Sequence, residues 1–124
     1  MAYAGGKRQV EDIYSRGSEL EQIADPGTGA ALDVSRSGEV QIVTAGAETN
    51  TLAVPTFVGQ RLILTLKTRV GGDRVVTVAS AFNATGNTII TMDTAGDAIC
   101  LEGSHGSAGV LKWNQAWTNG PSLS

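Results

Sequence analysis

The clearest structural signal in the sequence is the run RLILTLKT at residues 61–68. Leu62, Leu64 and Leu66 alternate with residues that are polar except for Ile63. Successive side chains of a β-strand point to opposite faces, so the three leucines would share one face. The run therefore predicts a β-strand whose leucine face lies in a core.

Similar short runs continue on both sides of this strand, and turn sequences separate them. Apolar and β-branched residues dominate residues 39–44, 51–54, 74–79, 88–92, 98–102 and 110–117. Clusters of glycine, aspartate and asparagine occupy residues 71–73, 83–87, 94–97 and 103–109. Short strands at near-regular spacing predict an all-β fold, either an antiparallel β-sandwich or a small jelly-roll-like barrel.

Composition bounds the possible functions. The chain has 124 residues, one domain's worth, and only 17% of them are charged, against roughly 25% in an ordinary soluble domain. A net charge of −3 argues against electrostatic binding to nucleic acid. No apolar run approaches the roughly 18 residues that span a bilayer, and no signal peptide is evident. We therefore expect a soluble, non-secreted protein without a nucleic-acid or membrane partner.

The first part of the chain has a different pattern. Val10, Ile13 and Tyr14 follow the i, i+3, i+4 spacing of a helical turn, and Leu20 and Ile23 are three residues apart. The turn sequence DPGTG then ends any helix, and the apolar residues are too few to form a core. We therefore expect an extended N-terminal arm over residues 1–37, followed by a β domain over residues 38–124.

No group of residues has the spacing of a catalytic site. His105 is the only histidine, and it lies in a glycine-rich segment between Ser104 and Ser107 with no acid placed to orient it. We expect it to be an exposed loop residue. Cys100 is the only cysteine, so no disulfide can form within the chain. Its apolar neighbours predict that it is buried rather than nucleophilic.

Two further groups have alternative interpretations. Asp93, Asp97 and Glu102 could supply oxygen ligands to a cation, but turn formation is the favoured role of the aspartates. Trp113 and Trp117 are four residues apart, which on a regular strand places them on one face. They would form either a sugar-stacking platform or, as we favour, an anchor in the core or between subunits. We expect no enzyme activity, no cofactor and no metal site.

The run TLAVPTFVGQRLIL at residues 51–64 resembles small head cement (decoration) proteins of tailed bacteriophages and related head-fibre and tail-fibre domains. The later runs at residues 75–79, 88–92, 94–102 and 109–120 fit the same succession of strands. The resemblance extends over about residues 48–124.

The resemblance implies a homotrimer that binds the outer surface of the major capsid protein shell and stabilises it. The partners would be two further copies of the chain and the major capsid protein. The protein would be made in the host cytoplasm and located on the capsid exterior of the virion. The family has no catalytic residues to transfer to this chain. The alternative is a receptor- or carbohydrate-binding fibre module of a phage.

Two sets of residues are expected to have roles in such an assembly. The expected capsid- or partner-binding residues of the arm are Lys7, Arg8, Val10, Ile13, Tyr14, Leu20 and Ile23. The expected core or trimer-interface residues are Leu62, Leu64, Leu66, Val76, Val78, Ile90 and Trp113.

Overall fold

A computed structural model describes residues 20–124 of the chain, and about half of these residues lie in strands. The strands are β1 (Glu21–Ile23), β2 (Ala30–Ala31), β3 (Gly38–Val43), β4 (Glu48–Leu52), β5 (Arg61–Thr68), β6 (Arg74–Val78), β7 (Ile89–Met92), β8 (Ala98–His105), β9 (Leu111–Asn119) and β10 (Ser122–Leu123). A short 3₁₀ turn at Ser107–Gly109 joins β8 to β9. Within residues 20–124 no helix has the length and hydrophobicity needed to cross a membrane.

The strands form two sheets of five. Sheet A has the order β1-β3-β5-β8-β9, and sheet B has the order β10-β7-β6-β4-β2. Their facing surfaces enclose a single hydrophobic core. The prediction of an all-β fold is confirmed, and the structure is an open sandwich rather than a closed barrel.

The first six strands alternate between the two sheets. The odd-numbered strands β1, β3 and β5 lie side by side and parallel in sheet A, and β2, β4 and β6 do the same in sheet B. The chain therefore makes three coils, each consisting of one strand in sheet A followed by one strand in sheet B. The last four strands pair antiparallel and complete the sheets.

The expectation of antiparallel strands thus holds only for the second half of the fold. A short turn joins residues 61–68 to residues 74–78, and two strands joined in this way are typical of a β-hairpin. In the structure that turn crosses from sheet A to sheet B. Parallel strands require such a crossover, and here a strand of the opposite sheet provides it. Hydrophobic alternation is the same in both arrangements, so it predicts strands but not their partners.

The boundary expected at residue 38 is corrected by the structure. β1 pairs with β3 and β2 pairs with β4, so both belong to the sandwich. Ile23 and Leu32 are buried in its core. Each of these short strands contributes, within it or next to it, one apolar residue to the core. From the sequence alone, so weak a pattern does not distinguish a strand of the sandwich from an extended arm. Residues 1–19 lie outside the described residues.

The residues expected in the core or a trimer interface are all buried within the single chain. Their exposed fractions are between 0 and 3%, and both sheets contribute to the set: Leu62, Leu64, Leu66, Val76, Val78, Ile90 and Trp113. These side chains therefore belong to the core of one subunit, and they are not exposed for contact with a neighbouring subunit.

The sandwich has two ends that differ in their loops. We call the end at which β1, β3 and β5 begin the leading end; it carries residues 53–60, residues 79–88 and the β8–β9 turn. The trailing end carries the loops that follow β1, β3 and β5.

Candidate interaction surfaces

The fold does not bring the candidate reactive side chains together. His105 ends β8 at the leading end and is exposed. The neighbouring Ser104 hydroxyl accepts a hydrogen bond from Asn114 Nδ2 at 2.6 Å and lies 3.4 Å from the carbonyl oxygen of Lys112. These partners lie on the adjacent strand β9, so the geometry does not form a serine–histidine pair.

The acidic residues considered as cation ligands have structural partners. Asp97 Oδ2 accepts hydrogen bonds from the backbone N–H groups of Asp93 and Thr94, at 3.0 and 3.1 Å, which closes the turn before β8. Glu102 pairs with Arg61 at 3.5 Å on the outer face of sheet A. Within residues 20–124, no three or more His, Cys, Asp or Glu side chains are grouped so that they could hold a metal ion.

Cys100 is buried although it points to the outer face of sheet A. Its register partners are Ile63 on β5 and Trp117 on β9, which places all three on that face. Burial raises the pKa of the Cys100 thiol; interaction with Arg61 opposes this effect, and Glu102 adds to it. A thiol that is both covered and protonated is a poor nucleophile.

The two tryptophans do not share a face, which corrects the expectation that they lie on the same side of a regular strand. Trp113 pairs with Gly103 and points into the core, where its indole Nε1 donates to the carbonyl oxygen of Ala53 at 2.7 Å. Trp117 pairs with Cys100, points outward and is 41% exposed. A β-bulge at Ala116 shifts the register between them, because Gln115 and Trp117 oppose consecutive residues of β8.

The most extensive polar network is built around Arg74, at the trailing end of the sandwich. Its side chain is completely buried at the start of β6. The guanidinium group donates to Asp25 at 2.7 and 3.1 Å, to Glu48 at 2.6 and 3.2 Å, and to Asn50 Oδ1 at 2.7 Å. It also donates to the backbone oxygen of Val43 at 3.2 Å.

This network connects the three coils. Asp25 follows β1, Glu48 and Asn50 lie in β4, and Arg74 lies in β6. Asn50 extends it by donating from Nδ2 to the backbone oxygens of Gly27 and Ala30, at 2.7 and 3.0 Å. One buried cation thus ties together residues that are far apart in sequence.

The charge state of Asp25 reflects these contacts. Burial disfavours its ionised form, but hydrogen bonds from Arg74 and from the backbone N–H groups of Gly27 and Val43 outweigh burial. The pKa of Asp25 is consequently lower than its ordinary value. The ionised carboxylate and the Arg74 cation stabilise each other in an interior that would exclude either one alone.

Sequence reasoning missed this network, although the sequence contains a signal for it. Arg74 precedes Val76 and Val78 at two-residue intervals, so it belongs to the inward face of its strand. A charged residue in an inward position requires a buried partner of opposite charge. The partners Asp25 and Glu48 are distant in sequence and could not be identified without the coil arrangement.

A cleft of about 270 Å³ also lies at the trailing end, lined in part by Glu48, Thr49 and Val75. Arg69 and Asp73 on its rim form an ion pair with a separation of 2.9 Å. Glu48 is already bound to Arg74. The charged side chains that line this cleft are thus already in ion pairs, Arg69 with Asp73 and Glu48 with Arg74.

The leading end presents an apolar loop of a different kind. We call residues 53–60 the apolar loop, because Val54, Phe57 and Val58 are 38%, 46% and 52% exposed. Val110, which is also exposed, lies at the same end. Four of the seven large hydrophobic side chains exposed within residues 20–124 are therefore at the leading end.

The apolar loop is held in place by the buried side chain of Gln60. Its Nε2 donates to the backbone oxygens of Val34 and Arg36, at 2.8 and 3.1 Å. Its Oε1 accepts from the backbone N–H and the hydroxyl of Thr56, at 2.7 and 3.1 Å. All hydrogen-bonding positions of a buried glutamine amide are thus used to fix the loop.

The loop also packs closely on sheet A. The Gly59 N–H donates to the Gly103 oxygen at 2.8 Å, and the Gly103 N–H donates to the Gln60 oxygen at 2.7 Å. A Cβ atom at residue 103 would collide with the backbone oxygen of Phe57. Gly103 is therefore required for this approach, and the result is a fixed loop with apolar side chains facing solvent.

The expected arm residues have mixed outcomes. Lys7, Arg8, Val10, Ile13 and Tyr14 lie outside the described residues. Leu20 is half-buried, and Ile23 is buried in the core, so the Ile23 side chain is not available for binding a partner. The sequence did not single out the apolar loop as a surface; its signal was Phe57-Val58 within a turn-forming segment between two strands.

In comparisons with known proteins, the chain matches no family model and no curated sequence.

Proposed function

We propose that this protein is a non-enzymatic structural protein of a virion, a decoration protein that binds the outer surface of a capsid as a trimer and stabilises it. The observation that supports the proposal best is the apolar loop at the leading end. Exposed apolar side chains on a fixed loop are typical of a surface that becomes covered by a protein partner. The strand succession resembles that of phage decoration proteins, which favours the major capsid protein as this partner.

The loop is suited to repeated rather than isolated contacts. Three exposed apolar side chains are far fewer than the 20–30 residues that each partner contributes to an ordinary stable interface. Their fixed geometry, however, lowers the entropy cost of each contact. A trimer that engages a symmetric shell through several such contacts would gain affinity by multivalency. Contacts across neighbouring capsid subunits would then resist expansion of the shell.

The first test is the molar mass of the full chain in solution, measured by light scattering after size exclusion. We expect a mass three times the 12.8 kDa of one chain. The second test is co-sedimentation with shells assembled from the major capsid protein encoded in the same genome. We expect Phe57→Ser to reduce binding and Val70→Ser, an exposed valine at the trailing end, to leave it unchanged. A monomer that does not bind the shells would contradict the proposal.

A second candidate function is recognition of a receptor glycan by a fibre module, and Trp117 favours it. This indole is 41% exposed on the outer face of sheet A, where a sugar ring could stack. Added glycans should then change the fluorescence of the native protein but not of Trp117→Phe, because Trp113 is buried. An unchanged spectrum of the native protein across a glycan panel would exclude this function.

A further inference from the structure

We propose that copies of this chain pack on each other through the outer face of sheet B. We call this surface the threonine face; it consists of the outward-pointing residues of the central strands β4, β6 and β7, which are Thr49, Thr51, Val75, Thr77, Ile89 and Thr91. The inference rests on the trimer of the proposed function and assigns its interface, because the residues that the sequence predicts for that interface are buried in the core.

The first argument is the charge of the threonine face. The strand register arranges its side chains in two rows, one through Val75 and one through Thr77. The edge strands continue these rows with Ser122 and Ala31, so no described strand of sheet B presents a charged side chain outward. Two such faces can therefore meet without electrostatic repulsion and without burying an unpaired charge.

The outer face of sheet A has the opposite character. Glu39, Arg61 and Glu102 point outward there, and Arg61 pairs with Glu102 at 3.5 Å. A protein that packed on this face would have to desolvate these charged groups, which is costly. Of the two outer faces of the sandwich, the one on sheet B is therefore better suited to being covered by protein.

The second argument is the shape of the side chains. All six residues of the threonine face are branched at Cβ, which restricts rotation about χ1. Such side chains lose less conformational entropy on burial than long charged side chains do. Each threonine hydroxyl can both donate and accept a hydrogen bond, so the threonines of two facing copies can satisfy each other.

These properties favour a second copy of the chain as the occupant. A partner with a charged surface would lose the hydration of its charges and gain no counterion from the threonine face. The threonine face of another copy avoids this cost. At the trailing rim of the face, Arg69 and Asp73 pair with each other at 2.9 Å and thus add no net charge to the contact.

Light scattering of charged variants tests the interface in the full-length chain. Thr77→Lys places a charge on β6, the middle strand of sheet B. The matched control Thr65→Lys makes the same substitution on the outer face of β5, the middle strand of sheet A. Circular dichroism checks that both variants fold. If Thr77→Lys loses its β-sheet signal, Thr51→Lys on the adjacent strand replaces it.

We expect the native protein and Thr65→Lys to have three times the 12.8 kDa mass of one chain, and Thr77→Lys to have the mass of a single chain. A threefold loss of mass in Thr77→Lys alone supports the interface. The inference is overturned if Thr77→Lys keeps the native mass, if both variants lose it equally, or if the native protein is itself a monomer.

Co-sedimentation of the native protein with capsid shells separates this inference from the proposed function. If the chain associates through the threonine face but does not bind the shells, the interface stands and the capsid function fails. If the native protein binds the shells while Thr77→Lys keeps the native mass, the capsid function stands and the interface fails.

Discussion

At the scale of single residues, Arg74 accounts for the position of the first coil. A buried guanidinium is costly unless its N–H groups are bonded and its charge is balanced. Asp25, Glu48, Asn50 and Val43 together meet both requirements. The network therefore imposes a specific arrangement of three chain segments, which apolar packing alone would not specify.

Removing the Arg74 side chain should destabilise the protein strongly. Arg74→Ala leaves two carboxylates in a partly buried site without their counterion, and we expect a loss of about 3–5 kcal/mol in the free energy of unfolding. Arg69→Ala removes an exposed ion pair and should cost about 1 kcal/mol or less. Urea denaturation of both variants measures the difference, and equal losses would contradict the structural role of Arg74.

The same network predicts a dependence of stability on acid. The pKa of Asp25 is lower in the folded chain than its ordinary value of 3.8, so the folded state favours the ionised form. Its contribution is fully present above the ordinary value and is lost as the pH falls through the folded value. Urea midpoints measured from about pH 5 to about pH 2.5 should therefore fall less steeply in Asp25→Asn than in the native protein. Equal slopes would show that Asp25 does not contribute.

At the scale of elements, the strands with many apolar residues were predictable and the short ones were not. The alternation in RLILTLKT identified β5 and its buried leucines correctly. β1 and β2 contain few apolar residues. They are identified as strands by their pairing with β3 and β4 in the structure. The bulge in β9 likewise could not be predicted from the sequence, because the spacing of Trp113 and Trp117 also suits an uninterrupted strand.

The position of β1 sets a limit for truncation of the chain. Deleting residues 1–19 leaves β1, Asp25 and the core intact, so we expect the β-sheet circular dichroism and a cooperative melt to remain. Deleting residues 1–25 removes β1, the buried Ile23 and the Asp25 partner of Arg74. That variant should lose at least about 3 kcal/mol or fail to fold. Similar melting temperatures for the two deletions would place β1 outside the folded unit.

At the scale of the whole molecule, the coil arrangement makes both sheets depend on each other. Each of the first three coils contributes to both sheets, so neither sheet can form completely alone. The apolar loop depends on this arrangement as well, since Gln60 fixes it by bonding to the backbone of Val34 and Arg36, which precede β3. Such long-range relations are set by topology, which local sequence patterns do not report.

We expect unfolding in urea to be a single transition, with circular dichroism and the fluorescence of the buried Trp113 changing together. Refolding should take milliseconds to seconds, because parallel pairing joins residues distant in sequence. Stopped-flow fluorescence measures this rate, using Trp117→Phe to isolate the Trp113 signal. Separate transitions for the two probes would indicate that the sheets form independently.

Both ends of the described chain emerge at the leading end. β1 begins there, and Ser124 is bonded to the backbone of Thr88 and Ile89 beside the loop that follows β6. A fluorescent protein fused after Ser124 would consequently lie at the same end of the sandwich as the apolar loop. A label for binding studies is better inserted in the trailing-end turn between β7 and β8, whose residues 93–96 are exposed. If the leading end faces a partner, cargo displayed from that turn would point away from it.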